Sequence, residues 1–211
     1  MLEYTDYIKI FIALLAVVDP VGIVPIITTM TARCSDTELR SIEKTVVFSV
    51  TTILFMALFF GEDLLHFFGI SINSFQVSGG ILLMLMAISM LQAKISATVQ
   101  TEVEAQEGEA KPSIAVVPLS IPLLAGPGAI STVVLYATRG SHLNHYLMMS
   151  VDILAVVIIL WIALRCASWL TRNLSQTSIN VFIRLMGLIL SALAVEFIAS
   201  GLKGLFPGLA A

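Results

Sequence analysis

Six long apolar stretches dominate this sequence, at residues 7–30, 44–68, 72–92, 114–137, 145–170 and 179–203. A helix needs about 20 mainly apolar residues to cross the hydrocarbon core of a bilayer, so each stretch is long enough. Only 12% of the 211 residues are charged, about half the share found in soluble domains. The sequence therefore predicts an all-α membrane protein with six transmembrane helices and the lipid bilayer as a partner.

Charge, cysteine content and the missing motifs argue against several other classes of protein. The net charge of −3 comes with scattered basic residues, not with the basic stripe that nucleic acid requires. Cys34 and Cys166 are too few for a disulfide framework and have no metal-binding spacing. There is no HExxH, GxSxG or P-loop motif, and Asp152 lacks the glycine-rich surroundings that an aspartyl protease pairing with Asp19 would need. We therefore expect no enzymatic activity, no cofactor and no bound metal.

The first and fourth stretches contain the residues that the interior of a helix tolerates least. These are Asp19, Pro20, Gly22 and Pro25 in the first stretch, and Pro122, Gly126, Pro127 and Gly128 in the fourth. Proline lacks an N–H, and its ring clashes with the carbonyl four residues earlier, at a cost of about 3 kcal/mol. Freed carbonyls must be buried in protein or line a watered cavity. The sequence therefore predicts that helices 1 and 4 are broken, although kinks that only serve helix packing are the alternative.

The two halves of the chain also repeat each other at a constant offset of 107 residues. This offset carries Pro20 to Pro127, and it carries Asn73, Phe75, Gly80, Leu83 and Ala87 to Asn180, Phe182, Gly187, Leu190 and Ala194. Because three helices are an odd number, the second half enters the membrane with the opposite polarity. The predicted organisation is an inverted repeat, with three helices in 1–92, a polar acidic linker in 93–113 and three helices in 114–211.

Inverted repeats with matching broken helices are typical of secondary transporters, whose substrate site lies near the midplane. Helix N-termini attract carboxylates and C-terminal ends attract cations, and an amino acid carries both groups. The candidate substrate-binding residues are Asp19, Pro20, Gly22, Pro25, Gly126, Pro127, Gly128, Ser131, Thr132 and Glu196.

Four of these candidates have other interpretations. Asp19 before a proline can cap the helix that resumes after the break. The hydroxyls of Ser131 and Thr132 can bond back to their own helix. Glu196 faces the bundle interior or, as the weaker alternative, the outer interface near Lys203.

The basic residues that flank the spans predict the orientation of the chain. One face has Arg33, Arg40, Lys44, Lys94, Lys111, Arg165 and Arg172, and the other has Lys9, Arg139 and Lys203. The richer side is expected to be cytoplasmic, which puts both termini on the periplasmic side.

The motifs AVVDPVGIVP, LLAGPGAIST and RLMGLILSALAVEFIASGLKGLFPGL resemble the MarC family of bacterial inner-membrane proteins, and most closely its YchE-type subgroup. The resemblance covers essentially the whole chain. It implies six spans, an inner-membrane location and transport, because the family is similar to the LysE-type exporter superfamily and some members are classed as neutral amino acid transporters. It also implies a functional role for the broken-helix positions named above. Relatives can have asparagine at the position of Asp19, which implies a hydrogen-bonding role there.

We therefore predict a secondary transporter, either an exporter or an importer, of small neutral solutes, with neutral amino acids as the first candidates. It would work by alternating access and draw on an H⁺ or Na⁺ gradient, or on a partner chain, since no nucleotide-binding segment is present. The alternative is a non-transporting or channel-like membrane assembly protein. Formation of a homo-oligomer is left open.

Overall fold

The computed structural model describes residues 4–30, 35–92, 124–140, 142–167, 169, 176–206 and 208. Within these ranges the chain is helical and has no β-strand. The helices are α1 (Tyr4–Val18), α2 (Ile23–Met30), α3 (Asp36–Phe67), α4 (Ile72–Leu91), α5 (Pro127–Ala137), α6 (Leu143–Arg165) and α7 (Gln176–Leu205). The all-α prediction is therefore confirmed for this part of the chain.

Four of these helices are long and apolar enough to cross a membrane: Thr37–Phe67, Ile72–Leu91, Leu143–Arg165 and Asn180–Leu205. They correspond to the second, third, fifth and sixth apolar stretches. Their outer faces carry large apolar side chains that soluble proteins bury, among them Phe48, Phe60, Leu154 and Leu188. These faces are suited to contact lipid.

The first and fourth stretches give shorter helices. The first is divided, because α1 ends at Val18 and α2 begins at Ile23. The fourth is described only from residue 124 onwards, with α5 beginning at Pro127. The predicted linker at 93–113 and Pro122 lie outside the described residues.

Local sequence explains where two of the long helices begin. Ser35 and Glu38 form a reciprocal capping box at the start of α3, in which each side chain bonds to the other residue's backbone N–H. Ser71 accepts a hydrogen bond from the N–H of Ser74 at 3.1 Å and so caps α4. Between α3 and α4, Gly69 adopts a φ of 66°, a left-handed conformation that glycine enters without steric cost. The connection between the two helices is therefore short, from residue 68 to residue 71.

The core is built where helices from the two halves of the chain meet. α4 packs along α7, α3 packs against α5 and α6, and α1 packs against α5, α6 and α7. The centre of the bundle holds side chains with no exposed surface, including Leu54, Leu83, Ile153, Leu160 and Leu190.

Glycines bring the backbones of α4 and α7 close together. A Cβ added at Gly80 would lie 2.9 Å from the carbonyl oxygen of Ala194 and 3.0 Å from the amide nitrogen of Ile198. One added at Gly187 would lie 3.2 Å from the carbonyl oxygen of Ala87 and 3.2 Å from the amide nitrogen of Leu91. Only glycine allows this approach without displacing the neighbouring helix.

Candidate functional site

Asp19 ends α1 in an unusual backbone conformation. Its N–H donates to the carbonyl of Leu15 at 3.0 Å, and its φ of 41° lies in the left-handed region. Aspartate is one of the few residues other than glycine that enters this region readily. Helices often end with a left-handed residue and with a proline shortly after it, as Pro20 follows here.

The side chain of Asp19 then starts the next helix. Its Oδ1 atom accepts a hydrogen bond from the N–H of Gly22 at 3.1 Å, so the capping interpretation is confirmed. A Cβ on Gly22 would collide with Oδ2 of the same carboxylate. Pro25 lies in the first turn of α2, where a missing N–H costs nothing, so it begins this helix and does not break one.

The predicted break in the fourth stretch also has a proline at the start of a helix, but its cap is different. Gly126 is the N-cap of α5 in an extended conformation, and Pro127 follows at the first helical position. Because it is a glycine, Gly126 has no side chain to cap this N-terminus. Among the described residues, it supplies no bond of the kind that Asp19 supplies to Gly22.

Gly128 brings the two interruptions near each other. A Cβ added there would lie 2.9 Å from the sulfur of Met86, 3.0 Å from Leu83 Cδ2 and 3.4 Å from Val17 Cγ1. Val17 belongs to the last turn of α1, two residues before Asp19. The start of α5 therefore packs between α4 and the end of α1.

Ser131 and Thr132 bond back to their own helix, so this interpretation is also confirmed. Both hydroxyls donate to the carbonyl of Gly128, at 3.0 Å and 2.7 Å. Both side chains are buried, and Ser131 packs directly on Gly79 of α4. In this conformation they hold the first turn of α5 in place.

The prediction that Glu196 faces the bundle interior is wrong, because its side chain is exposed on α7. The buried stripe of α7 contains Gly187, Leu190, Ala194, Phe197 and Gly201. This stripe repeats every three to four residues and excludes position 196. The next residue, Phe197, contacts the ring of Tyr136, which lies near the end of α5 and away from its start.

The end of α6 that holds Arg165 has a small cavity. It has a volume of about 50 Å³ and lies between α2, α3 and α6, with Thr28, Glu43 and Arg165 in its wall. Arg165 pairs with Glu43 at 3.3 Å and so links α6 to α3. The sequence analysis counted Arg165 among the basic residues that flank the spans and did not foresee this pair.

A second polar group, which the sequence analysis missed, lies at the opposite end of α6. His145 is only 4% exposed, and its ring nitrogens contact the hydroxyl of Tyr7 and the carbonyl of Tyr136, each at 2.9 Å. The sequence analysis did not consider His145, and it considered Asp152 only as a possible partner of Asp19 in a protease. The available signal was their spacing of seven residues, which puts both side chains on one face of a helix.

Comparison with known proteins decides the family. The sequence profile described as MarC family integral membrane protein matches residues 4–206. The chain belongs to the MarC family.

Relatives of this MarC-family protein occur in bacteria and archaea. UPF0056 membrane protein YhcE of Escherichia coli (strain K12) is 43% identical over 207 residues, which cover 98% of this chain and 96% of the relative. UPF0056 membrane protein YvbG of Bacillus subtilis (strain 168) is 37% identical over 206 residues, or 97% of both chains. UPF0056 membrane protein MJ0972 of Methanocaldococcus jannaschii is 35% identical over 211 residues, covering 98% of this chain and 92% of the relative.

No solved structure matches this MarC-family chain. The family and the four long apolar helices identify a multi-pass integral membrane protein.

Proposed function

We propose that this MarC-family protein is a secondary transporter of small neutral solutes, with neutral amino acids as the expected substrates. It works by alternating access between two inverted three-helix repeats, with helices 1 and 4 broken at a midplane site. It resides in the bacterial inner membrane with both termini periplasmic, and it carries out no enzymatic step.

The observation that carries the proposal is a matched pair of contacts between α4 and α7. The offset of 107 residues turns Gly80, Ala87 and Leu91 into Gly187, Ala194 and Ile198. Gly80 packs on the carbonyl of Ala194 and the amide of Ile198, and Gly187 packs on the carbonyl of Ala87 and the amide of Leu91. Each contact is thus the image of the other when the two halves are exchanged. A pseudo-two-fold axis between inverted repeats produces this pattern.

The same exchange relates the two interruptions. Pro20 and Pro127 are equivalent under the offset, and Gly128 packs on the last turn of α1. Asp19 accepts the N–H of Gly22 directly before α2, whereas the N-cap of α5 is Gly126, which has no side chain. A zwitterionic amino acid is complementary to these two helix ends. Its carboxylate would bind at the N-terminus of α5, and its ammonium would bind near the carboxylate of Asp19.

Polar contacts between the two proposed repeats occur at both ends of the bundle. Glu43 with Arg165 joins α3 to α6 at one end, and Tyr7 with His145 joins α1 to α6 at the other. Alternating access requires two such closures, which open in turn. A protein that served only as a membrane scaffold would have no need for them.

Reconstitution into liposomes tests this function. The purified protein is assayed for counterflow with a panel of labelled amino acids, and for uptake under imposed proton and sodium gradients. We expect saturable counterflow of at least one neutral amino acid. Absence of saturable uptake or counterflow for every member of the panel would refute the amino-acid proposal.

A variant at the second interruption separates transport from assembly. In Gly128→Leu the added side chain enters the space between α4 and α1, so counterflow should be lost while membrane insertion persists. Gly208→Ala is the matched control, because a Cβ there meets nothing within 4 Å. If Gly128→Leu lowers only the yield of folded protein and the wild type shows no counterflow, the assembly alternative is favoured.

A further inference from the structure

The hydrogen bonds of His145 determine which ring nitrogen carries a proton. Its Nε2 lies 2.9 Å from the carbonyl oxygen of Tyr136. A carbonyl only accepts hydrogen bonds, so Nε2 is the protonated nitrogen. In the neutral ring Nδ1 is then an acceptor, and it takes the hydroxyl proton of Tyr7 at 2.9 Å. A second proton can be added to this buried imidazole only at Nδ1.

Asp152 supplies a charge that no described group neutralises. Its Oδ2 atom is buried and has no hydrogen-bond partner among the residues that the structure describes. Lys9 pairs with Asp6 and Arg165 pairs with Glu43, so neither of these cations pairs with Asp152. Asp152 lies seven residues after His145 on α6, which puts it on the same face of the helix as His145, the residue that bonds to Tyr7 of α1. Tyr7, His145 and Asp152 thus lie along one seam between α1 and α6, and we call them the outer polar cluster.

Other charged groups surround the cluster without entering it. On α1, Lys9 and Asp6 pair with each other at the surface. After α5, the guanidinium of Arg139 lies over the ring of Tyr136, 4.7 Å from its centroid. On α7, Glu196 is exposed and adjoins Phe197, whose ring contacts the same tyrosine.

The third neighbouring helix, α3, approaches the cluster with an aromatic side chain. Phe59 stacks on Tyr146, the residue next to His145. The acids near this end of α3 are Glu62 and Asp63, of which Asp63 is exposed. None of these described groups supplies a positive charge to Asp152.

We propose that the outer polar cluster is a proton-binding site that couples this carrier to a proton gradient, an inference that rests on the proposed function. With His145 neutral and Asp152 ionised, the cluster holds one net negative charge on a partly buried carboxylate whose Oδ2 atom is shielded from water, which is unfavourable. One proton from the outer solution adds to Nδ1 of His145 and cancels that charge. The hydrogen bond to Tyr7 then reverses, so that the tyrosine oxygen accepts from Nδ1 and its own hydrogen turns away from the imidazole ring.

Protonation of His145 changes a hydrogen bond that joins the two proposed repeats. Tyr7 lies on α1, which leads into the interruption at Asp19, and Tyr136 lies on α5, which begins at the other interruption. His145 holds both helices to α6. Reversal of its bond to Tyr7 changes how α1 is held against α5. Two-state elements biased by histidine protonation are a known route from proton binding to conformational change.

Transport assays separate coupling from translocation. Variants His145→Gln, Asp152→Asn and Tyr7→Phe are reconstituted, and a labelled neutral amino acid that the wild type carries serves as the probe. For Asp152→Asn we expect counterflow within about twofold of the wild type and a loss of about tenfold in accumulation driven by a pH gradient, which is within the usual range of coupling between two sites. His145→Gln and Tyr7→Phe also remove the contact between α1 and α6, so counterflow and accumulation should both fall in these two variants. His142→Gln and Asp63→Asn are matched controls, since both side chains are exposed at the same end. Accumulation at the wild-type level in Asp152→Asn would overturn the inference.

Histidine NMR tests the same site without any substrate. In protein labelled with ¹⁵N-histidine, His145 should carry its proton on Nε2 when neutral, and its titration should respond to Asp152→Asn but not to Asp63→Asn. A titration unaffected by Asp152→Asn, or a proton on Nδ1 of the neutral ring, would refute the proton site. If the wild type lacks counterflow, the proposed function fails, while the NMR result still decides whether the cluster binds a proton. Asp152→Asn keeps the size of the side chain, so the test does not depend on whether His145→Gln folds.

Discussion

Asp19 illustrates how one side chain can end one helix and begin the next. Its backbone takes the left-handed conformation that closes α1, and its carboxylate accepts the N–H of Gly22 that opens α2. Both tasks need a short side chain with an acceptor oxygen, which asparagine also offers. The negative charge is not needed for either task. Structural and transport roles of this position can therefore be separated by mutation.

We expect Asp19→Asn to keep the stability of the wild type and Asp19→Ala to lose about 1 kcal/mol, the usual cost of a lost N-cap. Thermal unfolding in detergent measures both. Asp19→Asn should nevertheless weaken substrate binding in the counterflow assay, because the ammonium of the substrate loses its counter-charge. Equal stability of the two variants would show that the cap contributes nothing.

Gly22→Ala should be destabilising because its Cβ collides with the carboxylate of Asp19. Overpacking of this kind costs about 1–3 kcal/mol. In an Asp19→Ala background the same substitution should cost much less, since the colliding group is gone. A double-mutant cycle on unfolding free energies checks this coupling. Additive effects of the two substitutions would contradict the contact, and Gly208→Ala serves as the neutral glycine control.

At the scale of helices, the crossing of α4 and α7 depends on small residues at fixed places. Leu83 and Leu190 are equivalent under the offset of 107 and have no exposed surface. They lie between the flanking glycine contacts of Gly80 and Gly187. Because apolar side chains gain little by leaving lipid for protein, close backbone packing is what holds such helices together.

Gly80→Ala should destabilise the protein more than Gly187→Ala. At Gly80 the new Cβ meets two backbone atoms at 2.9 Å and 3.0 Å, whereas at Gly187 the backbone atoms are both 3.2 Å away. We expect losses within the range of about 1–3 kcal/mol for overpacking, with Gly80→Ala at the upper end. Ser78→Ala, at an exposed position on α4, is the control. Thermal unfolding in detergent measures the stability of each variant. A larger loss of stability in Gly187→Ala than in Gly80→Ala would contradict the packing described here.

At the scale of the whole molecule, the distribution of basic residues and the helix directions make a joint prediction about topology. α3 begins on the side predicted to be cytoplasmic and ends on the other side. Thr37 and Phe68 are exposed near its two ends. Phe206 is exposed just after α7.

Single cysteines placed at these positions test the orientation in a Cys34→Ser, Cys166→Ser background. Phe68→Cys and Phe206→Cys should react with a membrane-impermeant maleimide added to spheroplasts, and Thr37→Cys should react only after permeabilisation. The reason is the excess of lysine and arginine on the cytoplasmic face. The opposite labelling pattern would reverse the topology and would put the outer polar cluster on the cytoplasmic side.

Much of the fold followed from local features of the sequence. The four long spans were located within a few residues, because apolar length alone indicates a span. The exceptions are α3, which begins at Asp36 and not near residue 44, and α6, which ends at Arg165 and not near residue 170. The division of the first stretch was also predicted, since Asp19, Pro20 and Gly22 act within one turn. The role of Pro25 was less clear from sequence, because a proline opens or breaks a helix according to where the helix starts.

The candidate site was only partly predictable for a different reason. Whether Ser131 faces a ligand or bonds to Gly128, and whether Glu196 faces protein or lipid, depends on rotation of the helix against its neighbours. On α7 the glycine contacts with α4 determine this rotation. No local sequence pattern predicts this rotation.

The sequence by itself determined that this chain lies in a membrane, where its long helices run and where the first one is interrupted. These properties depend on hydropathy, proline and caps, which act over at most a few turns. Only the tertiary structure decided that Gly80 meets Ala194, that Gly128 meets Val17 and that His145 bonds to Tyr7, 138 residues away. Such contacts join residues far apart in the chain, and they form only where the packed helices bring the partners within bonding distance.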